Sequence, residues 1–523
     1  MRREAMIQRL REAAAEQTPW DIAVVGGGAT GMGVAVDAEA RGLSVALVEA
    51  HDFGKGTSSR STKLVHGGVR YLEQGNIPLV MSALKERGLL RQNAPHLVHD
   101  LAFVVPNYSW WEAPFYGVGL KLYDLLAGKY GFGASRRLSR EETLERLPAL
   151  DPEGLLGGVV YYDGQFDDAR LLIHLAMTAA DLGAVVVNYC PATGFLRDPE
   201  GYVNGVTALD TETGEELTIP ARIVVNATGV FTDQVRRLAD PEADQLVTTS
   251  QGIHLVFDRS FLKGDTALMV PRTSDGRVLF VIPWHGHAVA GTTDTPVDEP
   301  SLEPRAFEQE VQFVLETAGR YLTRAPGRRD VQAVYVGLRP LVKGEGKTST
   351  LSRDHVIHVD GSGLLSITGG KWTTYRHMAE DCVDHAITLG RLPDAECATK
   401  NLRIHGYVAS AAAQYTDDHW RVYGSDAEPI RALANDPVLS ARLHPSLPYL
   451  AAEVVWAARE EMARTVEDVL ARRMRALFLN ADAAAAMAEP AASLLAAELD
   501  RDEEWVSEQV RDFSALAAQY KVE

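Results

Sequence analysis

One stretch, Ile22 to Glu49, limits what this chain can fold into more than any other. The apolar run Ile22-Ala23-Val24-Val25 meets Gly26-Gly27-Gly28-Ala29-Thr30-Gly31, with Met32-Gly33 following. A helix of small residues then closes at Arg41-Gly42, and a second apolar run, Val45 to Val48, ends in Glu49. Strand, glycine-rich turn, helix, strand and acid is the order of a βαβ unit that binds a dinucleotide. Gly26 permits the tight turn. Gly28, with Ala29 and Thr30 after it, lets backbone N–H groups approach a pyrophosphate, and Gly31 lets helix and sheet pack closely. Glu49 stands 18 residues after Gly31, placed to accept hydrogen bonds from a ribose diol. That acid alone does not separate NAD from FAD.

The next segment bears on the choice. Gly54 to Glu73, GKGTSSRSTKLVHGGVRYLE, has almost no hydrophobic periodicity and many small donors. A loop of this length is uncommon in a compact domain unless it binds something; a solvated linker is the alternative. Thr57, Ser58 and Ser59 offer hydroxyls and N–H groups to a pyrophosphate, and Lys63 adds charge. Leu64 and His66 lead into Gly67-Gly68, where the main chain can pass against a flat ring. Further on, Ile223-Val224-Val225-Asn226 runs into Ala227-Thr228-Gly229, a second place where backbone can approach a dinucleotide. After a complete first motif, it supports a flavin.

At 523 residues the chain predicts two or three domains, because single cores stop growing near ~250–300 residues. A net charge of −19 argues against a nucleic-acid partner and against broad attraction to anionic lipid, leaving room for a local basic patch. Cys190, Cys382 and Cys397 form no CxxC pair and no metal spacing, so no metal is expected and a reduced, cytoplasmic compartment is. The N-terminal MRREAMIQRLREAAAEQ lacks the apolar core of a signal peptide, and Glu489-Pro490 interrupts the Ala-rich stretch 482–498, so no membrane span is expected. Residues 108–132 hold eight aromatics in 25 positions against a chain average of 7%. With Lys121 and Lys129 among them, they fit either an interfacial amphipathic helix or one buried between domains.

Along the chain, patterning predicts a helix from about Pro78 to Gln92 and a helix 168–182 capped by Asp167. It also predicts a strand Val185 to Tyr189 and a hairpin around Thr213-Gly214. From Gly252 to Asp294 the runs are short and β-rich, with Ser274-Asp275-Gly276 a turn. This reads as an antiparallel meander of another architecture, the substrate domain. A last strand, Leu364 to Thr368, enters Gly369-Gly370-Lys371 and a helix carrying Thr373 and Thr374. From about 400 onward the sequence is helical, a separate cap.

With VGGGATGMGVAVDAEARG (25–42), TSSRSTKLVHGGVRYLE (57–73), GLRPL (337–341) and GGKWTTYRHMA (369–379) assembled, the chain resembles the FAD-dependent glycerol-3-phosphate dehydrogenases, respiratory enzymes of glycerol catabolism. The likeness runs from about Asp21 into the C-terminal helices. Met32 departs from it, standing where the family carries a small residue. The resemblance implies an α/β chain, α+β overall, of glutathione-reductase or D-amino-acid-oxidase-like architecture. A Rossmann-like FAD-binding domain would comprise 20–95, 150–250 and 340–400. An antiparallel-sheet substrate domain would comprise 96–149 and 251–339, with a helical cap at 400–523. It implies oxidation of sn-glycerol 3-phosphate to dihydroxyacetone phosphate by hydride transfer to FAD, with electrons passed to a membrane quinone. The protein would be cytoplasmic, held peripherally on the inner face of the membrane, and a homodimer is compatible with this.

Substrate chemistry narrows the residues. A phosphate dianion suits arginine, whose planar fork makes paired, charge-assisted bonds. Arg70 and Tyr71 in GGVRYLE, Arg339 in GLRPL and Arg353 in LSRD match the family's phosphate and substrate contacts; structural salt bridges are the bland alternative. Lys371, on a Gly-Gly turn at a helix N-terminus, is placed to stabilise negative charge on a reduced flavin or to polarise the substrate oxygen. His254 is the first choice for the base and His66 the second, since imidazole titrates near working pH. Rival readings are a glycerol-phosphate oxidase using oxygen, an amine oxidase of the same fold, an NAD-linked dehydrogenase and a non-catalytic flavoprotein. Three arginines plus Lys371 are more positive charge than an amino-acid substrate needs.

Overall fold

Runs that are apolar at every position demand burial on both faces, and the first sheet supplies it. Val24, Val45, Leu47, Val185, Val186 and Val187 are all fully buried, each side chain contributing ~1.5–3 kcal/mol. The computed structural model describes residues 1–68, 72, 76–273, 277–344, 354–409 and 418–522. Arg70, Tyr71, Arg353 and the turn at Ser274-Asp275-Gly276 lie outside them.

The first sheet runs His355–Val359, Leu365–Gly369, Glu215–Asn226, Trp20–Val25, Val45–Val48, Val185–Val187. Along this order the neighbours are parallel except the first pair. Helices Ala29–Ala40, Asp168–Leu182 and Tyr375–Gly390 pack beside it. The Asp167 carboxylate accepts the Arg170 N–H and caps the second helix, as its position predicted. The hairpin around Thr213-Gly214 also forms, but its second strand does not stop. Glu215–Asn226 is one strand that pairs antiparallel with Val203–Asp210 first and parallel with Trp20–Val25 afterwards.

The second sheet is long and mostly antiparallel. Val247–Asp258 and Val331–Val342 pair along their whole length, Ser250 opposite Arg339 and His254 opposite Tyr335. The strand of Arg339 passes through Pro340 to Val342. Gly157–Phe166 belongs to this sheet, inside the range expected for the cofactor domain, and so does Leu64–Val65, which pairs with it. The 54–73 loop is thus partly structured: a 3-10 turn at Thr57–Ser59, then a short strand.

The C-terminal helices share a core with this sheet, where the sequence suggested a separate cap. Leu470, Leu477 and Phe478 pack in one buried cluster with Tyr335, Ile282 and Val289. The aromatic segment forms the helix Glu112–Ala127. Tyr123, Leu120 and Ala127 are buried, whereas Trp110 is 83% exposed, Val118 70% and Leu125 76%. It buries one face and exposes an apolar one. Among the described residues no helix is long and apolar enough to cross a membrane, and no metal-binding cluster occurs.

Candidate active site

A cavity of about 590 Å³ gathers most of the expected residues. Gly26, Gly28, Ala29, Thr30, Glu49, Thr57, Ser58, Leu64, His66, Thr228, Gly229, Gly370, Lys371 and Thr373 line it, together with His254 and Arg339.

The glycine-turn wall is made of backbone. At Gly26 φ is +111°, and a Cβ there would meet the Ala227 carbonyl oxygen at 2.8 Å, so the two glycine-bearing turns press directly together. Glu49 accepts from Gly27 N (2.6 Å) and His51 N (2.9 Å), which fixes the carboxylate at the cavity while burial pushes its pKa up. Ser58 Oγ accepts from Ala29 N at 3.0 Å, and Trp372 Nε1 donates to Ser58 O at 2.8 Å. The 57–59 turn is therefore stitched between the helix Ala29–Ala40 and the segment after Lys371. The first-turn N–H groups of Ala29–Ala40 have no intrahelical acceptor and suit an anion.

Six expected cofactor contacts do not line the cavity. Gly31 faces the strand, where an added Cβ would sit 1.9 Å from Gly26 O. Ser59 is buried, its carbonyl taken by Lys63 and Arg475. Gly67 donates its N–H to Tyr123 Oη at 2.8 Å, and neither it nor Gly68 is among the lining residues. Thr374 Oγ1 donates to Lys371 O and holds the turn. Lys63, expected to add charge at a pyrophosphate, is wholly buried and turned onto Asp168, with Nζ 2.7 Å from Oδ2. Burial draws its pKa down to about 7 against the pull of Asp168.

The opposite wall is made of side chains. Arg339, 26% exposed, donates to Thr293 O (2.9 Å), Thr292 Oγ1 (3.2 Å) and Asp294 Oδ1 (3.3 Å), which aim the fork from behind. His254 lies in mid-strand, its Nε2 2.9 Å from Thr62 Oγ1 and its ring stacked on Tyr335 at 4.7 Å. Burial, then the charges of Lys63 and Arg339, hold its pKa well below the usual range, so it is a neutral imidazole able to accept a proton. His66 is lowered to about 4, chiefly by burial, with Lys371 and Arg87 adding and Asp163 opposing. Lys371 immediately precedes the 3-10 turn Trp372–Thr374 that runs into Tyr375–Gly390. Thr62, Tyr335, Asp294 and Trp372 were missed: nothing in their neighbours' spacing marks them, although Thr62 and Trp372 sit inside the quoted motifs.

The family model of FAD dependent oxidoreductases matches residues 21–376, and that of the C-terminal domain of alpha-glycerophosphate oxidase matches 365–506. The mitochondrial glycerol-3-phosphate dehydrogenase of Arabidopsis thaliana is 41% identical over 528 residues, covering 93% of this chain and 84% of the relative. The chain belongs to the FAD-dependent glycerol-3-phosphate dehydrogenase family. The human mitochondrial glycerol-3-phosphate dehydrogenase is 39% identical, with 97% of this chain and 74% of the relative covered. A structure of glycerol-3-phosphate dehydrogenase from Bacillus halodurans complexed with FAD superimposes with a TM-score of 0.79 at 30% identity, covering 98% of each chain. For a member of this family FAD is the cofactor, and the residues present fit it. The helix N-terminus and the 57–58 turn offer donors to a pyrophosphate, and the tethered Glu49 carboxylate offers acceptors to a ribose. Gly370 and Thr373 stand beside Lys371 on the same cavity. The glycerol-3-phosphate dehydrogenase fold thus brings a backbone-built cradle and a charged, histidine-bearing wall onto one cavity.

Proposed function

We propose that the chain oxidises the secondary hydroxyl of sn-glycerol 3-phosphate to give dihydroxyacetone phosphate, and that a membrane quinone takes the electrons. When bound, FAD supplies the hydride acceptor. Neutral His254 accepts the hydroxyl proton, Arg339 holds the phosphate, and Lys371 stabilises charge developing on the cavity side of its turn. Arg70, Tyr71 and Arg353 complete the substrate contacts in this reading. The cofactor-binding part comprises 20–95, 150–250 and 340–400, with the strands Gly157–Phe166 and Leu64–Val65 joined to the substrate sheet. The observation that carries the reading is Arg339: its fork reaches the cavity already braced by Thr292, Thr293 and Asp294.

Removing one partner of a desolvated charge pair costs ~2–5 kcal/mol, so Arg339→Ala should raise KM for glycerol 3-phosphate steeply. Its preference over glycerol should largely vanish, and Arg339→Lys should recover only part, keeping the charge without the fork. The ratio of kcat/KM for the two substrates in the three proteins checks this. An unchanged ratio in Arg339→Ala removes Arg339 as the reader of phosphate.

The apolar face of Glu112–Ala127 supports peripheral contact with the inner face of the membrane, since Trp110, Phe115, Val118 and Leu125 are exposed together. Replacing Trp110, Trp111 and Phe115 by Ser should release the protein from liposomes and leave activity with a soluble dye intact. Joint loss of folding and activity would make the cluster core instead.

A further inference from the structure

Lys63 is a buried cation that the chemistry above leaves unused. Its backbone is left-handed (φ +64°), which turns the side chain inward, away from the cavity lined by its neighbours Thr62 and Leu64. The ammonium spends its donors on Asp168 Oδ1 (2.9 Å), Asp168 Oδ2 (2.7 Å) and Ser59 O (2.9 Å). Around it stand the rings of Tyr335 (4.9 Å), Trp284 (5.1 Å) and Phe478 (5.5 Å). Arg475 closes the assembly from the C-terminal helices, donating to Ser59 O and to Asp168 Oδ1. Phe478 and Arg475 are thus contributions of the C-terminal region to the layer behind the active site.

Two of these contacts, those to Asp168 and Tyr335, lead on to His254. Asp168 Oδ2 accepts from Ser61 N (2.9 Å) and Ser61 Oγ (2.7 Å), and Tyr335 Oη donates to Ser61 O. Those bonds fix the residue before Thr62, whose hydroxyl meets His254 Nε2 at 2.9 Å. Tyr335 lies between the two, stacked on the imidazole at 4.7 Å and 13° and in cation–π contact with Lys63. The other ring nitrogen, Nδ1, is buried with no hydrogen-bond partner among the described residues, so the Thr62 hydroxyl is the hydrogen-bonding contact that orients the ring. The charges that face His254 are Lys63 and Arg339; those that face Lys63 are Asp168, Arg475 and Asp167.

We propose that Lys63 is the positioning residue for His254, holding the Ser59–Thr62 segment so that Thr62 orients the imidazole, with its ammonium set against the Tyr335 ring that stacks on it. The inference rests on His254 being the base. Below neutrality, where the acid limb of kcat/KM is measured, Lys63 carries its proton and that charge opposes a second one on the ring.

The test uses the FAD-loaded enzyme. Lys63→Met should keep the FAD absorbance and KM but lower kcat about tenfold to hundredfold, the loss typical of a slightly misplaced reacting group. Its acid limb should move up by roughly one pH unit as the cation is lost. FAD retained with parental kcat and acid limb overturns the proposal. Lost turnover with an unmoved limb also overturns it, because a loosened fold alone would do that. If Lys63→Met does not retain FAD, Thr62→Val decides: it removes only the hydroxyl on Nε2 and should lose turnover, and Thr62→Ser should recover most of it. Parental turnover in Thr62→Val overturns the proposal. His254→Asn separates the two layers. Parental turnover there topples the base assignment itself; collapse there beside parental Lys63→Met and Thr62→Val topples this inference alone.

Discussion

The two walls of the cavity are built by opposite means. The glycine-turn wall comes mainly from one stretch, 26–58, with Ala227-Thr228-Gly229 pressed against it, and presents backbone N–H groups and one carboxylate held by backbone. The wall carrying His254, Arg339 and Lys371 comes from separate segments spread along the chain from 254 to 371, and it presents side chains aimed by other side chains. A dinucleotide needs a cradle that a local motif can specify. An alcohol oxidation needs a base, a phosphate anchor and a polariser, which only the assembled sheet brings together. If this contrast is right, damage to one wall should leave the other wall's task intact.

The largest separation is expected at His254. A general base contributes ~10²–10⁴-fold, so His254→Asn should lose about that in kcat while binding FAD like the parent. FAD lost in step with activity would mean that the walls are not separable.

Glu49 is the converse. Glu49→Ala leaves the ribose without its charged acceptor, a bond worth ~1.5–3 kcal/mol, so FAD should bind roughly tenfold to hundredfold more weakly. At saturating FAD, kcat should recover. Unchanged FAD affinity would remove Glu49 from the cradle.

Acid sharpens the contrast more gently. His66 is held neutral in the fold, lowered to about 4, and His254 is lowered as well, whereas unfolded histidine titrates near ~6.5. The unfolded chain therefore binds more protons below that value, and this contribution to stability is lost as pH falls from about 6.5 to about 4. Glu49, raised by burial, has the opposite sign: its contribution fades as pH rises through its folded value. The melting temperature should fall between pH 6.5 and 4, and less steeply in His66→Asn. An equal slope in both proteins would mean that His66 is not a buried neutral group.

How much of this was legible follows from the same contrast. The βαβ unit, the Asp167 cap and the Thr213-Gly214 hairpin are local, and each stands where its residues imply. Arg339 and Lys371 were recognisable because they sit in short motifs. Lys63 was misread for a physical reason: a lysine among serines and glycines looks solvated, and only its left-handed backbone and the distant Asp168 turn it inward. Thr62, Tyr335 and Asp294 act through partners more than forty residues away, a pairing that no spacing encodes. The helical C-terminal region was visible, but its place in the core behind Tyr335 depends on packing between Phe478 and that ring.

The measurement closest to the central claim is an anaerobic spectrum of the purified, FAD-loaded protein. Adding glycerol 3-phosphate should bleach the oxidised-flavin absorbance within turnover time, and glycerol at the same concentration should leave it nearly unchanged. A spectrum that glycerol 3-phosphate does not alter, or that glycerol bleaches equally well, would contradict the account.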